Sequence, residues 1–315
     1  MRPLRLIPDD TNLPFMKWAR IRTPISLALI ILSFVLFFTV GVNEGIDFKG
    51  GTVIEVRSTS GSEADVAGIR SKVDGLYLGD VQIQTIGDAK SVLIRVATQP
   101  GGEAAQQEVV QKVKDALGTA AYEFDRVEVV GPRVSGELAQ TGTLAVIFTI
   151  IGIMLYIWFR FEWQFGIAAV ATLVHDAILT VGFFALTQID FNLQSIAAIL
   201  TIIGYSLNDT VVIFDRIREI LRRYKQMPVR DVIDLATNQT LARTIMTSLT
   251  LLLALGALFL FGGPVIRSFT AAMIWGIFVA TASSIFIGGP ILIYFNIRPK
   301  NVAAAPEPDP AAAKA

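Results

Sequence analysis

The chain has 315 residues, 53% hydrophobic and only 17% charged, with a mean hydropathy of +0.57. Soluble domains carry about 25% charged residues, so these values exclude an ordinary soluble globule and describe an integral membrane protein. Lys plus Arg and Asp plus Glu each total 27, and the absence of cysteine excludes disulfides, thiolate chemistry and cysteine-ligated zinc.

The N-terminal segment, 1–23, carries Arg2, Arg5, Lys17, Arg20 and Arg22 ahead of a first apolar span, Pro24–Val42. No small-residue cleavage site follows that span, which predicts a retained anchor and not a removed signal peptide. Residues 43–137 then form one polar insertion. Its pattern reads strand (Thr52–Ser58), helix (Ser62–Asp74), a hairpin with Gly87-Asp88 between two alternating strands, helix (Gly102–Leu117) and strand (Tyr122–Val130). That order predicts the split βαβ arrangement of a ferredoxin-like domain. The insertion holds no histidine, no nucleophile beside a base and no acidic cluster, so it reads as a recognition or structural module.

Five further spans occupy 138–298: Leu138–Phe159, Trp163–Thr187, Phe191–Phe214, Thr244–Gly262 and Phe269–Asn296. The loop between the fourth and fifth spans of the chain carries Arg216, Arg218, Arg222, Arg223, Lys225, Arg230 and Arg243, whereas the short loops of the other side carry only Arg267. The positive-inside rule therefore predicts cytoplasmic termini and a periplasmic 43–137. Residues 299–315, rich in Ala and Pro without apolar periodicity, are expected to be disordered. The fold class expected is a membrane all-α bundle of six transmembrane helices with an inserted α+β ferredoxin-like extracytoplasmic domain.

Two acidic residues stand inside apolar spans, where an ionisable group is costly unless paired or hydrated and by default marks an ion or proton path. Asp209 lies five residues, about 7 to 8 Å of helix, from Phe214 at the inner end of its span. Arg243 stands at the mouth of the next, followed by Thr244, Thr247 and Ser248. Such a pair is either a proton switch, ionised while together and unsupported when separated, or a static ion pair that fixes packing. Asp176 lies near mid-span beside His175, the chain's only histidine; consecutive helical residues point about 100° apart, so the imidazole either joins a relay or satisfies a neighbouring helix. Asn208 either joins the relay or serves as packing glue.

Five runs now resemble, in order, the SecD/SecF family on its SecF side: GIDFKGGT from Gly45, VGPRVSGEL from Val130, HD at 175 and 176, IIGYSLNDTVVIFDRIRE from Ile202, and NQTLARTIMTSLT from Asn238. The resemblance implies one half of a resistance-nodulation-division-type machine that pairs with SecD and uses the proton motive force to pull preproteins across the bacterial inner membrane. In it Asp209 and Arg243 match the family's proton-linked carboxylate and arginine, the remaining acid coming from SecD. It further implies the SecYEG channel, YajC, the translocating preprotein and, indirectly, the SecA motor as partners, besides the bilayer, with no cofactor and no nucleic acid. No GxxxxGK[ST] loop is present, so nucleotide chemistry is not expected. Gly50 and Gly51 are expected to permit a tight backbone at the sheet base. Asp47 and Lys49, two apart on an extended strand, either pair at the membrane surface or brace the insertion against the first span. Asp215 and Arg216 are structural positions of the fourth motif.

Three other readings compete. Half of a proton-driven exporter of small molecules or lipids shares the relay but requires a larger outer region. An intramembrane aspartyl protease requires facing carboxylates, against an expected depth difference of about 10 Å between Asp176 and Asp209. A passive assembly factor would leave every membrane carboxylate structural.

Overall fold

The computed structural model describes residues 8, 11–60, 63–86, 89–263, 266–295 and 297. Arg2, Arg5, the Gly87-Asp88 turn and the 299–315 tail lie outside the described residues. Among the described residues, six helical segments are long and apolar enough to cross a membrane. They are α1 (Phe15–Thr39), α5 (Pro132–Arg160), α6 (Trp163–Thr187), α7 (Leu193–Arg223), α8 (Val229–Phe261) and the pair α9 (Arg267–Phe286) with α10 (Gly288–Tyr294).

Several helices run past the apolar boundaries. The first starts at Phe15, not Pro24, because α8 supplies its cap: Asp234 Oδ1 accepts from Met16 N at 2.8 Å and Asn238 Oδ1 from Leu13 N at 2.9 Å. The start of α5 is set by Pro132, whose missing N–H is no loss in a first turn. Near the middle of the bundle, α6, α7 and α9 approach closely where side chains are small. A Cβ on Gly276 would fall 2.2 Å from Ile202 Cδ1, and one on Gly182 would fall 2.1 Å from Ser33 Oγ of α1.

The insertion contains α2 (Ile46–Lys49), β1 (Gly51–Ser58), α3 (Val66–Asp74), β2 (Val81–Thr85), β3 (Ser91–Val96), α4 (Gly102–Leu117) and β4 (Tyr122–Val130). The sheet order is β2-β3-β1-β4, every neighbour antiparallel, as the split βαβ reading requires. The first helix begins at Val66 and not Ser62, because Asp65 accepts from Gly68 N at 2.8 Å and so fixes the N-cap. Ile54, Val56, Ile94 and Val96 alternate onto the face that packs with Ile69, Val73, Val109 and Val113 of the two helices. The opposite face, with Val53, Glu55, Leu93 and Arg95, lines a cleft of about 430 Å³ against the ends of α7 and α9.

Gly50 and Gly51 do hold a tight backbone. Their φ values are +72° and +122°, and a Cβ would meet Thr98 Oγ1 at 2.6 Å and Val96 O at 2.5 Å.

Candidate functional site

The imidazole and carboxylate of α6 form one hydrogen-bonded unit. His175 Nδ1 lies 2.8 Å from Asp176 Oδ1, while its Nε2 meets Ser26 Oγ of α1. Asp176 Oδ2 accepts from Ser206 Oγ of α7 at 2.5 Å and from Ser283 Oγ of α9 at 2.8 Å. Asp176 is wholly buried, and four helices contribute to its support. Each ring nitrogen of His175 thus has its own partner, one on its own helix and one across the interface with α1, as the neighbouring-helix alternative requires. An ionised Asp176 fixes the tautomer, since only an Nδ1–H can then donate to it.

Asp209 is almost as deeply buried but is supported differently. Among the described residues its Oδ2 makes no hydrogen bond of good geometry, although the Thr244 hydroxyl on α8, itself without another partner there, is close enough to turn toward it. Arg243 is within electrostatic reach but beyond ion-pair distance, and is itself exposed. The expected pair is therefore an open one. A buried carboxylate oxygen without a donor is costly, so a proton or water at this atom stabilises it.

Asp176 bonds to Ser206, three residues before Asp209 on α7, so the carboxylates lie within about one helical turn in depth, not about 10 Å. They do not face each other: Asp176 is directed among α6, α7 and α9, and Asp209 toward α8. Below Ser206, Thr210 Oγ1 approaches Ser284 Oγ at 3.3 Å, and Tyr205, Ser248 and Thr281 form a chain of 2.8 Å contacts joining α7, α8 and α9. Asn208 lies outside this network, on the exposed face of α7 with Thr201 and Gly204.

Asp215 and Arg216 tie the helix ends together. Asp215 Oδ2 lies 2.9 Å from Arg160 Nη2 of α5, and Arg216 Nε donates to Gln239 Oε1 of α8 at 2.7 Å.

The GIDFKGG segment is a helical turn, not an extended strand, and it reaches a different partner from the expected first span. Asp47 Oδ2 accepts from Leu193 N, the first residue of α7, at 2.9 Å. Glu44 and Phe191 form a parallel bridge, with Gly45 N donating to Phe191 O at 2.7 Å and Phe191 N to Asn43 O at 2.8 Å. Arg95 of β3 adds a 2.6 Å ion pair to Asp190, whose other oxygen accepts from Asn43 Nδ2 at 3.0 Å. Lys49 makes only a 3.7 Å contact with Glu44, in the open. The inserted domain is thus fixed to the loop between the two helices that carry Asp176 and Asp209.

A family model described as the C-terminal part of the protein export membrane protein SecD/SecF matches residues 109–298, and a SecD/SecF GG-motif model matches 35–61. The chain belongs to the SecD/SecF family. Among its relatives, the protein translocase subunit SecF of Rhodobacter capsulatus is 44% identical over 93% of this chain and 92% of its own. The SecDF of Brucella abortus is 43% identical over 96% of this chain but only 40% of its own length. A crystal structure of SecDF, a translocon-associated membrane protein from Thermus, matches with a TM-score of 0.80 at 32% identity, covering 94% of this chain and 40% of that one. The SecF-type architecture of six membrane helices with an inserted α+β domain is therefore shared. Within it, the sequence carries no signal for Ser26, Ser206 and Ser283, because serines in apolar helices are common; only their cross-helix bonds to His175 and Asp176 distinguish them. Asp234 was likewise overlooked, being one of many charged residues in a basic loop.

Proposed function

We propose that this chain is the SecF-type half of a Sec-pathway translocase that pairs with SecD in the bacterial inner membrane and draws on the proton motive force to pull preproteins outward. The observation that carries this reading is Asp209 Oδ2, buried with no well-formed hydrogen bond among the described residues, beside the Thr244 hydroxyl and an exposed Arg243 that stands beyond ion-pair distance. A carboxylate in that position changes protonation at small structural cost, because no bond made by that oxygen has to break. Arg243, Asn208 and Gly204 lie on an uncovered face of α7 and α8, where a second six-helix subunit would add the missing acid. Fusion of this region to a longer SecDF chain in Brucella supports that partner.

The Asp176 and His175 unit serves as the second, fully bonded station. The brace from Asp47 and Arg95 supports mechanical coupling, since any shift of α7 that accompanies Asp209 protonation is passed to the inserted domain. Each proton that crosses the field supplies about 2.3 kcal/mol per 100 mV, enough to bias a two-state movement more than tenfold. The basic residues around Arg216–Arg230, opposite the inserted domain, support cytoplasmic termini and a periplasmic 43–137. SecYEG, YajC and the emerging preprotein follow as partners, with SecA acting from inside and no ATPase in this chain.

Export driven by an imposed proton gradient in inner-membrane vesicles tests the reading, comparing Asp209→Asn with the parent at equal SecD levels. Loss of only the gradient-dependent stimulation is expected; undiminished stimulation overturns Asp209 as the carrier.

A further inference from the structure

A groove of about 580 Å³ runs between α1, α6 and α10, away from the face that carries Arg243. Ala19, Leu27, Ile30, Ile287 and Ile291 make its walls apolar, and Ser26 and His175 lie on its floor. Arg20, near the start of α1, and Arg230, at the start of α8, line the same groove at the end opposite the inserted domain. Both are exposed and have no ion pair with the described residues. Tyr294, also exposed, stands at this end, where an amphipathic ring sits at headgroup depth.

We infer that this groove is the seat of one anionic phospholipid, its phosphate held by Arg20 and Arg230 and an acyl chain laid along α1 and α6 over His175. The charge pattern selects the occupant. Two unpaired guanidiniums at the edge of hydrocarbon are stabilised by an anion they can grip in a fork, and a phosphodiester satisfies that geometry. The apolar length beyond them is filled by hydrocarbon. The chain's own tail does not suit it: 299–315 offers Val302 as its only large aliphatic residue. A zwitterionic lipid would fill the apolar part but bring an ammonium beside two arginines. The seated chain shields the His175 edge from water on the α1 side. The proposal stands independently of whether Asp209 carries protons.

The full-length chain, reconstituted in phosphatidylethanolamine vesicles with a minor fraction of phosphatidylglycerol and then extracted in mild detergent, is weighed by native mass spectrometry. The parent is expected to retain one phosphatidylglycerol preferentially. Arg20→Gln with Arg230→Gln is expected to lower that retention about tenfold or more, since each arginine near an anionic headgroup contributes about 1 kcal/mol. Arg222→Gln with Arg223→Gln, exposed basic residues off the groove, should retain it, and Ala171→Phe, which fills the groove floor, should lose it without changing charge. Equal retention in the Arg20 and Arg230 variant overturns the proposal, as does equal loss in the control variant, which would mean unspecific attraction. Retention of phosphatidylethanolamine to the same degree also overturns it, and so does a rise in bound lipid on deleting 299–315, which would place the tail in the groove.

Discussion

The surroundings of Asp176 and Asp209 differ more than their sequences suggest. Both are aspartates inside apolar helices, within about one turn of each other in depth. Asp176 is held by His175, Ser206 and Ser283, whereas Asp209 Oδ2 has no well-formed hydrogen bond among the described residues and only the Thr244 hydroxyl close by. The first is a carboxylate whose bonds join α6, α7 and α9, with α1 reached through His175; the second is a carboxylate whose protonation breaks no well-formed bond of its Oδ2. The contrast teaches that intramembrane acidity has two uses, and that the count of satisfied lone pairs separates them.

The largest expected effect is that of Asp209→Asn, which should abolish gradient-driven export while leaving the unfolding midpoint of the extracted protein near that of the parent. Asp176→Asn should do the reverse in stability. Its Oδ1 can go on accepting from Ser206 and Ser283 only if its Nδ2 faces His175 Nδ1 and forces the ring into the other tautomer, a rearrangement that should cost about 1 to 3 kcal/mol, read as a lower midpoint in graded denaturant. If the two variants exchange these behaviours, the comparison fails.

Removing the brace comes next. Asp47→Ala, which removes the acceptor for Leu193 N while the Asn192 capping box stays in place, should cost about 0.5 to 1.5 kcal/mol and raise amide exchange at Leu193. A double-mutant cycle on Arg95 and Asp190, a partly exposed pair, should give a smaller coupling of about 0.5 to 1 kcal/mol. Absence of any coupling would mean that the domain is held by the backbone bridge at Phe191 and the Asp47 and Asn43 hydrogen bonds without help from this ion pair.

The smallest effect extends the comparison to a third carboxylate, outside the membrane. Burial pushes the Glu55 carboxyl above the ordinary carboxylate range, Asp125 adding to the shift while Arg126 and Arg57 oppose it. Because the folded state holds this proton more tightly than the unfolded one, its contribution to stability is present below about pH 4.3 and lost as pH rises through the folded value. Glu55→Gln should therefore slow amide exchange of β1 at pH 7 and make no difference in acid. Equal effects at both values would assign the change to packing and not to charge.

Much of this was legible before any coordinates. Long, predominantly apolar runs marked the six spans, since a bilayer accepts little else, whereas the covered face of the sheet was not legible, because both faces of β1 and β3 are largely buried. Helix ends were less legible, as at Phe15 and Val66, because caps come from side chains that hydropathy ignores, and one of them comes from a helix more than two hundred residues away.

Amino-acid order alone determined the membrane class, the ferredoxin-like order of elements, the family and the two carboxylates, because each of these is a local pattern or a local energetic exception. Only the tertiary structure decided which carboxylate is satisfied, that Asp47 binds the first amide of α7, and that Arg20 and Arg230 share a groove. Those facts depend on partners from distant helices, and a hydrogen bond a few ångströms long is set by how helices pack, not by which residues they contain.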